Sequence, residues 1–361
     1  MGVLEHKQAY RRSQWGTGER GAHTTHRSTM GPMKALITGG AGYIGSSVAT
    51  ACLEAGIDTV ILDDLSTGRR DFGEGRNLYV GDIADRELFE LIVDDHPDID
   101  VVVHCAARIV VPESVADPLG YYDSNVGKTI TLLHNVRNAG IARVVFSSSA
   151  AVYLGEGGGG VDESAPVAPS SPYATTKSMV ESILSDAAQA GDIRAIALRY
   201  FNPIGADPRL RTGLQSRTPS HALGKIMLAR EAGEPFTITG TDWPTRDGSG
   251  LRDYIHVWDL ALAHVAAMQR FDAVAPASDP FQTINVGTGD GVTVRELVAA
   301  FERVTREPMP VVEVDRRPGD QAGAFAIVDR AVEQLEWKSQ RSIDDGVRDA
   351  LAWAEKLKSL D

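Results

Sequence analysis

From Lys34 onward the apolar positions fall into short, nearly continuous β-branched runs, separated by stretches of helical period. "KALIT" (34–38), "DTVILDD" (58–64), "NLYVGDI" (77–83), "DVVVHCAA" (100–107) and "ARVVFSSSA" (142–150) come first. "IRAIALRYFN" (193–202) and "QTINVGTG" (282–289) extend the series. Runs of this kind alternating with helices predict a parallel sheet covered on both faces. The expected fold class is α/β, a Rossmann-type doubly wound parallel sheet. Residues of about 203–254 and 290–361 are less regular, mixing loops such as "GTDWPTRDGSG" with helices such as "VRELVAAFERVT". They are expected to form a smaller mixed α/β substrate lobe, interleaved with a main domain of 33–202 that about 255–289 complete. "GEGGGG" (155–160) reads as a flexible surface loop.

The first 32 residues break this pattern, being polar, rich in Gly, Ser and Thr, and without an apolar period. They are expected to be a disordered extension, with Met33 the natural first residue. "RRSQW" is not followed by the apolar segment that a twin-arginine signal needs. Composition adds little: 43% hydrophobic and 24% charged residues in 361 describe an ordinary globular chain. Its net charge of −13 repels nucleic acid and anionic membranes, so neither is an expected partner. No apolar run approaches the ~18 residues of a membrane span. The two cysteines, Cys52 and Cys105, sit in apolar runs with no metal-ligand spacing. No metal is expected, and a reducing cytoplasm is the expected location.

Candidate chemistry begins at "TGGAGYIG", which sets Gly39, Gly42 and Gly45 between a predicted strand and a predicted helix. In that context a glycine array lets backbone approach a pyrophosphate, with free N–H groups at the helix start to meet its charge. Asp63 closes the second strand, where a carboxylate accepts from an adenosine ribose and repels a 2′-phosphate. NAD is thus favoured over NADP, although Arg69 and Arg70 nearby are what a 2′-phosphate would need. Asp82 and Ile83, after the third strand, fall where the adenine edge should lie; taken alone, Asp82 would be a helix N-cap.

"FSSSA" ends another strand with Ser147, Ser148 and Ser149, and "SPYATTK" then opens a helix at Pro172. Tyr173 and Lys177 share one face of that helix, a turn apart. Taking a hydride from a carbinol carbon requires removal of the hydroxyl proton, and a free phenol with a pKa of about 10 is a poor base at neutral pH. An ammonium one turn away and a cationic nicotinamide would bring the phenol toward a useful range. Tyr173 is the expected base and Lys177 its electrostatic support, with Ser149 holding the substrate hydroxyl.

With "LDDLSTG", "PESVADPLGYYDSNV", "LRYFNPIGA", "DGSGLRDYIHVWDLA" and "RRPGD" added in order, the chain from Met33 to about Trp353 resembles the extended short-chain dehydrogenase/reductases. Within them it is similar to the NAD-dependent UDP-glucose 4-epimerases. The resemblance implies that Tyr43 and Ile44 line the pyrophosphate and that Asp64, Ser66, Thr67 and Gly68 border the adenosine. Asn125 and Phe201 would border the nicotinamide end, and Cys105, Ala106, Ala107, Ser147 and Tyr200 would also contact the cofactor. It implies a UDP-hexose held by Asn202, His221, Thr237, Thr239, Arg252, Arg317 and Asp320, and a homodimer formed through a helical face. Two arginines suit a diphosphate, and an aspartate suits a ribose diol.

The implied reaction oxidises the sugar at C4 to a 4-keto intermediate, which turns over and is reduced on its other face. Three positions depart from the family pattern: Ile109 for a lysine, Ala151 for a threonine, and Ala324 where some members carry a bulky tyrosine. The small Ala324 extends the expectation to N-acetylated UDP-hexoses. A sugar-nucleotide dehydratase would need an acidic pair at Ala150 and Ala151. Another UDP-sugar epimerase, a UDP-glucuronate decarboxylase and a non-catalytic nucleotide-sugar-binding protein are the alternatives.

Overall fold

The computed structural model describes residues 32–153, 157–316 and 321–360. The expected N-terminal extension, but for Pro32, lies outside them, as do Arg317 and Asp320. In chain order the strands are β1 (Lys34–Thr38), β2 (Asp58–Asp63), β3 (Asn77–Val80), β4 (Val101–His104), β5 (Arg143–Ser147), β6 (Gly160–Val161), β7 (Arg194–Tyr200) and β8 (Asn202–Ile204). Then come β9 (Phe236–Thr239), β10 (Leu251–Arg252), β11 (Tyr254–His256), β12 (Phe281–Val286), β13 (Val292–Thr293), β14 (Val311–Val314) and β15 (Phe325–Ala326). The seven predicted runs form one sheet in the order β12-β7-β5-β4-β1-β2-β3. Every neighbouring pair in it is parallel.

Alternate residues of each strand feed two separate cores. Ala35 and Ile37 of β1 enter one and Leu36 the other; β4 divides Val101 and Val103 from Val102. The helices Tyr43–Glu54 and Val257–Gln269 pack together over the first face. Arg86–Asp95, Lys128–Asn138 and Pro172–Gln189 contribute Phe89, Leu132 and Leu184 to the second. Burying a side chain of this size fully is worth about 1.5–3 kcal/mol. Because both faces bury such residues, the strands carry no polar alternation. The strand order reverses at β1, leaving a crevice between the ends of β1 and β4, the usual place for a ligand in such sheets.

Element ends differ from the sequence reading in instructive ways. The first helix starts at Tyr43, inside the glycine array, since Gly42 supplies the N-cap and Gly45 is admitted into the first turn. Gly160 is not loop: with Val161 it forms β6, which pairs with β15, a partner too distant in the chain to be foreseen. The cap of the Arg86–Asp95 helix is Asp85, which accepts from the Leu88 amide, and not Asp82. The "RYFN" run divides, with β7 ending at Tyr200 and β8 leaving the sheet to pair with β11.

Outside the large sheet the chain builds two-stranded ribbons: β9 with β14 and β10 with β13 join the β8–β11 and β6–β15 pairs. A third core of Leu223, Ile226, Phe236, Ile238, Leu297 and Phe301 lies beneath several of them. The Val294–Thr305 helix is fixed at its start by a capping box of Thr293 and Glu296. Among the described residues no helix is long and apolar enough to cross a membrane.

Candidate active site

The crevice at β1 is shaped by glycines at van der Waals limits. Gly39 has φ +69°, and a Cβ there would meet the Ala106 amide nitrogen at 2.7 Å. A Cβ on Gly45 would stand 2.1 Å from the Gly39 carbonyl oxygen. The Tyr43–Glu54 helix has no side-chain cap and no acidic residue in its first turn. Its N-terminal N–H groups and dipole therefore face the crevice uncompensated, which fits a pyrophosphate. The Tyr43 hydroxyl donates to the Gly205 carbonyl at 2.7 Å, tying this turn to the segment after β8. Ile44 is half-buried beside it.

Asp63 is buried at the end of β2, accepting from the Ala41 amide at 2.9 Å and the Leu65 amide at 2.8 Å. Burial pushes its carboxyl above the ordinary range, and the two amide bonds oppose that shift. The side chain thus braces the glycine turn against the next loop, and its oxygens keep lone pairs for a ribose. Asp64 accepts from Ser66, while the Thr67 carbonyl accepts from Gln215 and Gly68 packs on Asp63. Arg69 is engaged by Asp71, so it is not a free guanidinium awaiting a 2′-phosphate. Asp82 accepts from the Ala84 amide and pairs with Lys128, which holds its carboxyl below the usual range despite partial burial; Ile83 is buried next to it.

The reactive trio does converge. Ser149, Tyr173 and Lys177 are all buried at the end of β5. Ser171 caps the helix, accepting from the Ala174 amide, with Pro172 in the first turn. Lys177 Nζ donates to the Ser147 carbonyl at 2.9 Å and lies 6.0 Å from the Tyr173 ring centroid. Burial pushes the ammonium down to about 8, with Cys105 and Glu181 opposing. In the protein alone the Tyr173 phenol stands above its ordinary value. Burial raises it, and only the hydrogen bond with Ser149 works the other way.

Beneath the trio, His264 Nδ1 donates to the Leu260 carbonyl, so Nε2 is the acceptor. Ser147 Oγ donates to it at 2.8 Å, and the Cys105 thiol lies 3.2 Å from that hydroxyl. Ala106, Ala107, Tyr200 and Phe201 stand partly or fully buried at the same strand ends. Asn125, expected at the nicotinamide, also bonds three groups of the protein. It accepts from the Arg108 amide and donates to the Arg108 carbonyl and Thr176 hydroxyl, bracketing that loop to the Tyr173 helix.

Those expected substrate residues that the structure describes lie outside the seven-stranded sheet, on the ribbons and at the start of the Ala222–Ala232 helix. Asn202 starts β8, its amide donating to the Asp253 carbonyl. Thr237 and Thr239 lie in β9. His221 Nδ1 accepts from the Gly224 amide, leaving the proton on Nε2, a buried donor with no partner among the described residues. Burial pushes this ring down to about 4, so it is a neutral donor at physiological pH, which suits a diphosphate oxygen. Arg252 donates to the Leu251 and Ala322 carbonyls, beside the half-buried Ala324. No cluster of metal-ligating side chains occurs among the described residues.

A family model described as the NAD dependent epimerase/dehydratase family matches residues 35–287. The UDP-glucose 4-epimerase of Azospirillum brasilense is 44% identical over 330 residues, which are 90% of this chain and 93% of that protein. The chain belongs to the NAD-dependent epimerase/dehydratase family.

Solved members of the family superpose closely on it. UDP-glucose 4-epimerase from Stenotrophomonas maltophila, with NAD and formylated UDP-arabinopyranose, matches at a TM-score of 0.86 and 38% identity. That match covers 91% of this chain and all (100%) of the other. The Bifidobacterium longum enzyme with NAD+ and UDP matches at 0.82 and 33% identity, covering 90% and 98%. The epimerase/dehydratase frame also holds a buried group that sequence reasoning missed: Ser148, Glu181, Arg199, Tyr153 and Asn285. Its one visible signal was Arg199, a charge inside an otherwise apolar strand.

The glycine geometry makes a direct prediction. Gly45→Ala forces the helix off the Gly39 carbonyl, so the purified variant is expected to carry little NAD. Cofactor released on denaturation, compared with wild type, checks this; an equal complement would contradict the close-approach argument.

Proposed function

We propose that this protein interconverts UDP-glucose and UDP-galactose, using NAD bound at the β1 crevice and oxidising the sugar transiently at C4. The observation that carries this reading is the convergence of Ser149, Tyr173 and Lys177 beside a glycine-shaped crevice, in a chain of this family. NAD supplies a hydride acceptor that later returns the same hydride, so no net oxidation occurs.

The protein's own groups do the rest. Ser149 orients the C4 hydroxyl, and Tyr173 takes its proton as the C4 hydride leaves. The 4-keto sugar stays anchored through UDP by Asn202, His221, Thr237, Thr239, Arg252, Arg317 and Asp320. After the ring turns, Tyr173 returns the proton to the C4 oxygen as the hydride arrives on the opposite face. A phenol raised by burial makes a cationic neighbourhood essential, and Lys177 contributes to it only while protonated. In this reading the seven-stranded sheet carries the cofactor and the ribbons carry the nucleotide sugar.

Tyr173→Phe is expected to lower kcat on UDP-galactose by at least about 100-fold, the scale of a lost general base, while leaving bound NAD in place. The Lys177 ammonium, down at about 8, is faced by His104 of β4 and Cys105 just after it, Ser147 of β5, and Tyr173 and Glu181 from its own helix. It is charged below that value and neutral above it. Activity should therefore decline as pH rises through about 8, and a kcat/KM profile flat to pH 10 would remove Lys177 from the mechanism.

The sugar pocket extends the reading. Ala324 leaves room beside the hexose, so UDP-N-acetylgalactosamine is proposed as a second substrate. Its turnover should lie within about tenfold of that of UDP-galactose, the range that contacts of methylene size control. No detectable product from the acetylated sugar would sink this part.

We also propose a homodimer. Val111, Val115 and Leu119, on two short helices packed against Pro172–Gln189, are exposed by 41%, 64% and 79%, and Met179 on that helix by 41%. An apolar face of this kind suits a partner surface. Val115→Glu with Leu119→Glu should convert dimer to monomer in analytical ultracentrifugation; an unchanged dimer would move the interface elsewhere. Both cysteines are free thiols, which supports a cytoplasmic location.

A further inference from the structure

Three consecutive serines at the end of β5 engage one face of the Pro172–Gln189 helix, at residues i, i+4 and i+8. Ser149 lies near enough to Tyr173 to pull its phenol down against burial, the Ser147 carbonyl accepts from Lys177, and Ser148 Oγ donates to Glu181 Oε1. The third contact has no place in the reaction, yet it is the most heavily braced. Glu181 and Arg199 are each 5% exposed. Arg199 donates to both Glu181 oxygens, through Nε at 3.0 and 3.2 Å and through a terminal nitrogen at 2.6 Å. Its other terminal nitrogen donates to the Tyr153 hydroxyl at 2.9 Å, and that hydroxyl donates to Asn285 Oδ1 at 2.8 Å. Asn285 is held in turn by Glu163 and the Val161 carbonyl.

A buried ion pair of this kind is a poor source of stability, since an apolar pair of equal volume is often as stable or more so. Its value lies in geometry: a forked guanidinium on a carboxylate tolerates little displacement. The elements it joins are the β5 end, the Tyr173 helix, β7 and β12. We propose that the Glu181–Arg199 pair, keyed to Ser148, is a positioning device that sets the register of the Tyr173 helix against the end of β5. It thereby fixes the distance from the Tyr173 hydroxyl to a substrate held at Ser149. Glu181 and Arg199 are positioning residues, acting through Tyr173 and Lys177. The proposal rests on the reading of Tyr173 as the base.

The test uses the NAD-loaded full chain. Ser148→Ala removes the key and leaves the ion pair, and Glu181→Gln keeps the shape while removing the charge. A displacement of about 1 Å at a reacting group costs up to about 100-fold in rate. Each variant is therefore expected to lose about 10- to 100-fold in kcat on UDP-galactose, with KM within about twofold of wild type and its NAD complement intact. A folded, NAD-loaded Ser148→Ala protein with wild-type kcat overturns the proposal, as does a rise in KM that accounts for the whole loss. Should Glu181→Gln fail to fold, Ser148→Ala alone decides. Tyr173→Phe is run alongside: full activity there overturns the base assignment itself, whereas an inactive Tyr173→Phe beside a fully active Ser148→Ala overturns only the positioning role.

Discussion

The whole arrangement depends on how closely the first helix approaches the end of the central strand. Gly45 sits where a single methyl would strike the Gly39 carbonyl, so helix and turn are in direct backbone contact. That contact leaves the helix N-terminus open toward the crevice, and Asp63 then locks the turn from the side through the Ala41 amide. A small shift here would reshape the crevice onto which the helix N-terminus opens. The two dry cores supply the energy that holds the layers together, but these short contacts decide where the layers stop.

Several polar groups buried among the described residues lie at the carboxyl ends of the strands. Thr38, His104 and Thr129 form one chain of hydrogen bonds, and Cys105, Ser147 and His264 form another. Both histidines are pushed toward the neutral form by burial, to about 3 for His104 and about 4 for His264. They serve as fixed donors and acceptors under the site rather than as proton carriers. Lys177 is the exception: a charged group held among them, and the electrostatics of the site turn on it.

Much of the sheet was legible because both its faces are apolar, so each strand announced itself as a run of β-branched residues. The glycine array, Asp63 and the Ser149–Tyr173–Lys177 trio were legible for a different reason: their chemistry constrains residue type and spacing together. What escaped notice were the contacts made across long chain separations. Nothing local marks Gly160 as a strand residue, because its partner is Phe325. Asn125 reads as a cofactor contact, and nothing local foretells its bonds to Arg108 and Thr176. Lys177 sits at the expected spacing, but its ammonium is aimed at a backbone carbonyl rather than at the phenol alone. Pattern locates such residues; only three-dimensional partners say what they are bonded to.

The position of β12 at the edge of the sheet has a consequence for biosynthesis. Its neighbour β7 ends at Tyr200, whereas β12 begins at Phe281. While the ribosome makes the intervening segment, β7 presents an apolar edge with unpaired backbone groups, the kind of surface on which nascent chains associate wrongly. The same late strand brings Asn285 to Tyr153. Addition of the seventh strand and completion of the polar lattice behind Tyr173 are thus a single event, reached only when most of the polypeptide has been synthesised. A product cut short before Phe281 would lack both the strand that pairs with β7 and the Asn285 end of that lattice.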